Sequence, residues 1–193
     1  MAITINGDGT LTGISVGGLP DGIVDTDMLA TDAVSAAKIG SLPAGSILQV
    51  VQATKTDTFS TTSTSFTDIT DISVSITPSS TSSKILVLVY LNDASTANFN
   101  LFKLLRGSTD IFVGDAAGSR VQVTAGAMTD DNRLRTTNFH YLDSPSTTSA
   151  TTYKVQMRVN TSETGYINRS RSDGSSSPYM RGASAITVME VAG

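Results

Sequence analysis

The chain has 193 residues, a formal net charge of −4, and charged side chains at only 16% of its positions. It has no cysteine, which excludes disulfides and thiolate metal sites, and its mildly acidic balance argues against nucleic acid, because phosphate binding needs clustered Lys and Arg. No apolar stretch approaches the ~18 residues that a membrane-spanning helix needs, so we expect no membrane insertion.

Residues 1–45 differ in character from the rest and are predicted to form a short extended or helical stem. Residues 1–22 are rich in glycine and cannot bury a core of their own. Residues 23–39 carry an imperfect repeat with a helix-like apolar face. Either three copies of this segment pack around an axis, or one helix packs on its own domain. The residues assigned to the trimeric stem are Ile23, Met28, Leu29, Val34 and Ile39.

Residues 46–193 predict one all-β domain, an antiparallel β-sandwich or jelly roll, because short apolar-alternating segments are joined by polar turns. The stretch 84–91 is continuously apolar, which predicts a strand buried on both faces. The last strand is predicted to be central to its sheet. The predicted strands cover residues 46–53, 66–76, 84–91, 98–106, 111–113, 120–124, 134–142, 152–159, 166–168 and 183–191.

Residue types that carry chemistry are sparse, so we expect neither an enzyme nor a bound cofactor or metal. His140 is the single histidine, and one histidine makes no metal site without nearby carboxylates. Asp130, Asp131 and Asn132 lack the glycine and later glutamate of a calcium-binding EF-hand loop. A pair of glycosidase carboxylates is not excluded by sequence, but nothing marks either of the two glutamates as an acid.

One polar loop, residues 166–181, has the composition of a binding site. Tyrosine offers a stacking face and arginine a forked set of donors, which suit sugars or acidic surfaces. The alternatives are a solvated loop, or a loop that pairs with aspartate across a subunit interface. The candidate binding residues are Tyr166, Asn168, Arg169, Arg171, Tyr179 and Arg181.

Four segments of the chain share a pattern with a known group of proteins: residues 43–52, the turn 78–80 before 83–87, the stretch 142–145, and the ending 190–193. Together they resemble the C-terminal domains of bacteriophage tail-fibre and related virion proteins. The repeat in residues 23–39 is similar to the short repeats in the stems of such fibres. The chain is much shorter than most fibres and has almost no shaft.

The resemblance implies an obligate homotrimer of jelly-roll heads similar to tumour-necrosis-factor-like trimers. It also implies attachment to other phage virion proteins through residues 1–45, and a location on the tail, neck or capsid surface of the virion. No individual functional residue is carried over, because fibre tips differ in what they bind.

Two functions remain open on the sequence. In the first, the trimeric head binds a host surface glycan or protein, and the loop 166–181 lies at its distal end. In the second, the chain is a capsid decoration protein or a neck or tail connector, whose main partner is another virion protein. A cellular carbohydrate-binding module is a third interpretation, but it leaves residues 1–45 without a role.

Overall fold

The structure is a computed structural model, and it describes residues 4–5, 11–12, 42–96, 98–129, 133–161 and 163–193. The chain divides into two compact units, Met1–Leu42 and Pro43–Gly193. In the first unit, β1 (Thr4–Ile5) pairs antiparallel with β2 (Leu11–Thr12). The predicted stem residues Ile23, Met28, Leu29, Val34 and Ile39 lie outside the described residues.

The second unit is built from strands alone in the part of the chain that the structure describes, which confirms the predicted antiparallel β-sandwich. Its strands are β3 (Ile47–Lys55), β4 (Phe59–Thr61), β5 (Thr67–Ile76), β6 (Lys84–Ser95), β7 (Asn98–Arg106), β8 (Thr109–Ile111), β9 (Ala125–Thr129), β10 (Arg135–Asp143), β11 (Thr151–Val159), β12 (Gly165–Ile167) and β13 (Ser184–Val191).

These strands form two antiparallel sheets. In sheet I, β10 pairs with one side of β6, while β13 and β12 share its other side and pair in turn with β3 and β4. In sheet II, β5, β11 and β7 are neighbours, and β9 and β8 share the far side of β7. Each sheet is therefore four strands wide, with the crossed strand order of a jelly roll.

The core lies between the sheets because alternate residues of each long strand point inward. In β11, for example, Tyr153, Val155, Met157 and Val159 are fully buried, and the residues between them are partly exposed. The facing positions of β6 and β13 supply further aliphatic side chains to the same cluster. The predicted central position of the last strand is confirmed, since β13 lies between β3 and β6.

Three local predictions need correction. The strand over 84–91 exists and extends to Ser95, but only one of its faces is buried; its alternate residues lie on the open side of sheet I. The strand expected at 120–124 begins instead at Ala125, where pairing with β7 starts. The turn after β3 contains a short strand, β4, which pairs with β12.

The two ends of the sandwich are distinct. The end that contains Gly45 and Ala192 is called the proximal end below, and the opposite end is called the distal end. At the proximal end, the Gly45 N–H donates to the Ala192 carbonyl and the Ala192 N–H donates to the Ser46 carbonyl, each at 2.8 Å. Strand β3 then runs the length of sheet I, so that Lys55 lies opposite Ser184 at the distal end. The nine residues of β3 span eight steps of about 3.4 Å, which separates the two ends by roughly 27 Å.

Candidate binding surfaces

The loop between β12 and β13, residues 168–183, lies at the distal end and is called the distal loop below. Arg169 and Arg181 are bridge partners across it. The Ser170 N–H donates to the Met180 carbonyl at 3.2 Å, and the Gly182 N–H donates to the Asn168 carbonyl at 3.1 Å. Backbone bonds therefore hold both sides of the loop together.

Asn168, one of the predicted binding residues, is fully buried at the base of this loop. Its side-chain Nδ2 donates to the carbonyls of Lys55 and Asp57, at 2.8 and 3.0 Å, and its Oδ1 accepts from the Ser184 hydroxyl at 2.6 Å. Its φ of +63° lies in the left-handed region, which asparagine tolerates better than most residues. Asn168 therefore supports the loop from beneath, and its side chain is not available to a ligand.

We expect Asn168→Ala to lower the free energy of unfolding by about 2 kcal/mol, because buried polar partners are left unsatisfied and alanine disfavours positive φ. Asn168→Gly loses the same hydrogen bonds without the φ penalty and should be about 1 kcal/mol less damaging. Urea denaturation of the two variants and the parent measures the cost of the lost hydrogen bonds and the additional cost of alanine at positive φ. Equal stability of Asn168→Ala and the parent would contradict this role.

Arg169 is used mainly within the loop. Its guanidinium lies over the Tyr166 ring, 4.4 Å from the ring centroid, and its Nη2 donates to the Arg171 carbonyl at 3.0 Å. Its Nη1 is 3.5 Å from the Asp173 carboxylate, which also accepts from Arg181 Nη2 at 2.6 Å. One carboxylate thus ties the two sides of the loop together and positions both arginines.

The remaining predicted binding residues face solvent. Arg171 is exposed, and the Arg181 side chain is 60% exposed despite its bond to Asp173. The Tyr179 ring lies against Gly174, where an added Cβ would be 2.6 Å from a ring carbon and would have to displace the ring. The structure therefore brings Arg171, Tyr179 and Arg181 to the surface of one loop.

A second surface, the open face of sheet I, is largely apolar. Residues in register across its four strands form three rows. Val50, Leu88, Tyr90 and Leu142 in these rows are 55%, 37%, 48% and 46% exposed. The rows are Val50, Met189, Leu86 and Leu142; Gln52, Thr187, Leu88 and His140; and Thr54, Ala185, Tyr90 and Asn138.

None of the three rows contains Asp, Glu, Lys or Arg. The open face of sheet II is the opposite: Lys154 bonds to Asp68 at 2.7 Å, Lys103 pairs with Asp110, and Arg158 lies over the Phe66 ring. Two faces of the same sandwich thus have different surfaces, one typical of solvent contact and the other typical of an interface.

His140 lies within the apolar face, opposite Leu88. An open depression of about 360 Å³ is lined there by side chains from all four strands, among them Gln52, Tyr90, Asn138 and Thr187. No group of three or more His, Cys, Asp or Glu side chains that could hold a metal is found within the described ranges. Within those ranges, no helix is long and apolar enough to cross a membrane.

The proximal end is fixed by a buried carboxylate. Glu190 accepts from the Ser79 N–H and hydroxyl, at 2.7 and 2.6 Å, and from Gln49 Nε2 at 2.5 Å. Burial disfavours its charged form, but the hydrogen bonds outweigh burial and lower its pKa to about 2. This carboxylate therefore joins β13, β3 and the turn after β5.

The lowered pKa of Glu190 predicts a stability term that is present in full above about pH 4.5 and is lost as the pH falls toward 2. The charged form is favoured in the folded state, so protonation removes stability. We expect Glu190→Gln to unfold about 2 kcal/mol more easily at pH 7 and to approach the parent at pH 2. Urea titrations at pH 7, 4 and 2 measure the difference in free energy of unfolding between the variant and the parent. A difference that stays constant across that range would contradict a lowered pKa for Glu190.

Comparison with known proteins gives no family for this chain: no protein-family model matches it, and no curated protein matches it significantly.

Proposed function

We propose that this chain is a non-enzymatic virion structural protein, a short homotrimeric appendage attached through residues 1–45. Its sandwich domains associate through the apolar face of sheet I, and its distal loops bind a glycan or protein on the host cell surface. This function follows the resemblance of the sequence to phage fibre heads. The apolar face of sheet I is the observation that supports it most strongly.

The occupant of that face is proposed to be another copy of the chain. The three rows are uncharged, so copies brought together there meet no like-charge repulsion and bury no unpaired ion. The face combines aliphatic residues and a tyrosine with amide and hydroxyl side chains, as subunit interfaces do. The paired charges on sheet II leave that face for solvent.

The geometry of the two ends supports a binding role for the distal loop. The chain joins the sandwich at Gly45, next to the end of β13, and the distal loop is roughly 27 Å away at the other end. An anchor at the proximal end would hold the loops outward. Three loops on one trimer would bind a repeated surface ligand with avidity that a single weak site lacks.

Immunogold electron microscopy tests the proposed location. Particles of the virus that encodes the chain are labelled with antibodies against the sandwich domain. Label at tail or neck projections supports the appendage, and label spread over the capsid favours the decoration-protein alternative. Particles without label would overturn both virion roles.

A further inference from the structure

We propose that the distal loop binds an anionic polysaccharide, one whose sugars carry carboxylate or phosphate groups, through Arg171 and Arg181. The inference rests on the proposed function, since it names the ligand class of the receptor-binding loop. It depends on three observations: the charge of the loop, its internal bonding, and an exposed tyrosine ring on the same loop as the arginines.

The distal loop is cationic within an acidic protein. Residues 168–183 contain three arginines and one acid, Asp173, whereas the whole chain carries a net charge of −4. The carboxylates of Asp57 and Asp71, near the base of the loop, form ion pairs with the buried Lys55, whose Nζ lies 2.8 and 3.5 Å from them. The loop therefore keeps a local positive charge that can attract an anion.

The two outward arginines retain donors for a ligand. A guanidinium has five N–H donors, and Arg181 uses one of its terminal nitrogens on Asp173. The Arg171 side chain makes no ion pair or hydrogen bond with another described residue, and its carbonyl is held by Arg169 at 3.0 Å. A forked guanidinium binds the two oxygens of a carboxylate or phosphate together, which a lysine cannot do.

The loop is arranged before any ligand arrives. The Ser170 side chain is buried; its hydroxyl donates to the Ser172 carbonyl at 2.9 Å and accepts from the Met180 N–H at 3.2 Å. With the backbone bonds and the Asp173 pairs, these contacts hold together the two sides of the loop, on which Arg171 and Arg181 lie. Because the loop is already ordered in the free protein, ligand binding loses little free energy to ordering it.

Tyr179 is the reason to propose that the anionic group is carried by a sugar. Its ring lies close to Gly174, and the residue remains 38% exposed. An exposed aromatic ring on a loop that also carries guanidinium donors suits a pyranose ring, whose C–H groups stack on aromatic faces while its acidic substituent reaches a guanidinium. An isolated anion such as inorganic phosphate would use only half of this surface.

Binding of the full chain to immobilised polygalacturonate, poly(glycerol phosphate) and neutral dextran tests the proposal, at about 150 mM salt where long-range attraction is screened. We expect binding to at least one anionic polymer and none to dextran. The anionic polymer that binds distinguishes carboxylate from phosphate. The double variant Arg171→Gln/Arg181→Gln should bind at least tenfold more weakly, and Tyr179→Ala should bind several-fold more weakly.

Arg120→Gln is the matched control, because Arg120 is an exposed arginine in a different loop, 114–124. It should bind as the parent does. Failure of the parent to bind either anionic polymer, equal binding to dextran, or unchanged binding by the double variant would overturn the proposal. Circular dichroism of each variant establishes that the sandwich is intact.

A parallel assay separates this inference from the receptor-binding role. Purified chain is added as a competitor of virus adsorption to host cells. Competition by the parent, with loss in the double variant, supports the ligand class. Competition that the double variant retains overturns the ligand class and leaves the receptor-binding role. Absence of competition by the parent overturns the receptor-binding role itself.

Discussion

Leu88→Glu should convert the proposed trimer to a monomer that remains folded. Leu88 lies in the middle row of the apolar face, with Thr187 on one side and His140 on the other. It points away from the core and is 37% exposed in the single chain, so the monomer can keep a glutamate there in water. Burying that charge without a partner in a subunit interface costs about 3–5 kcal/mol per copy.

Ser73→Glu supplies the matched control for this variant. Ser73 is exposed on the open face of sheet II, opposite Lys154, so an acid there meets a cation and no expected interface. We expect it to sediment as the parent does, while Leu88→Glu sediments as a monomer with an unchanged β-sheet spectrum. Retention of the parent's mass by Leu88→Glu would remove the apolar face from the subunit interface.

Gly165→Ala should be among the most destabilising single-methyl changes in the domain, by about 3 kcal/mol. An added Cβ would lie 2.3 Å from Met157 Cε, 2.6 Å from Asn100 Oδ1 and 2.8 Å from Val159 Cγ1. The methionine end is able to move. The asparagine is not, because its Nδ2 donates to Asp93 and to the Ala94 carbonyl, both at 2.9 Å within the buried interior.

Gly114→Ala is the control for Gly165→Ala, since an added Cβ at Gly114 meets nothing within 4 Å. The control should change stability by less than about 0.5 kcal/mol. Thermal unfolding at one fixed protein concentration compares the two variants, because the proposed assembly would make the midpoint depend on concentration. A Gly165→Ala variant as stable as the control would mean that the packing around β12 leaves room for a methyl group.

Much of the sandwich could be predicted because several of its strands alternate apolar and polar residues. Residues 152–159 show that alternation strictly, and the strand that contains them, Thr151–Val159, has one buried face. Continuous apolarity in 84–91 was the misleading case: it indicates two covered faces, and a single chain covers one. If the subunits associate as proposed, that pattern reflects burial of the second face at a subunit interface. In the sequence, burial by another subunit and burial by a second sheet give the same pattern.

The weaker predictions failed where tertiary pairing decides local structure. Residues 120–124 have strand-like composition, but β7 offers its edge to Ala125–Thr129 instead. Phe59–Thr61 lies in a Ser/Thr-rich stretch without an alternation signal, and only its pairing with β12 makes it a strand. Composition could not reveal either partner, because strand pairing depends on contacts distant in sequence.

The candidate site was predictable by composition and not by geometry. The run of arginines and tyrosines located the distal loop, and the strand register puts that loop opposite the proximal end. Nothing local distinguished Asn168, which is buried with three hydrogen-bond partners, from the exposed Arg171. The apolar face required the register of four strands, since its rows combine residues as distant as Val50 and Met189.

The solution mass of residues 43–193 alone, measured by light scattering, tests most directly whether the sandwich domains associate through sheet I. This segment is a compact unit with its own core, so it is suited to study without the preceding residues. Association through sheet I predicts three times the mass of one chain. A monomer would contradict it, and a trimer formed only by the complete 193-residue chain would assign assembly to the N-terminal segment.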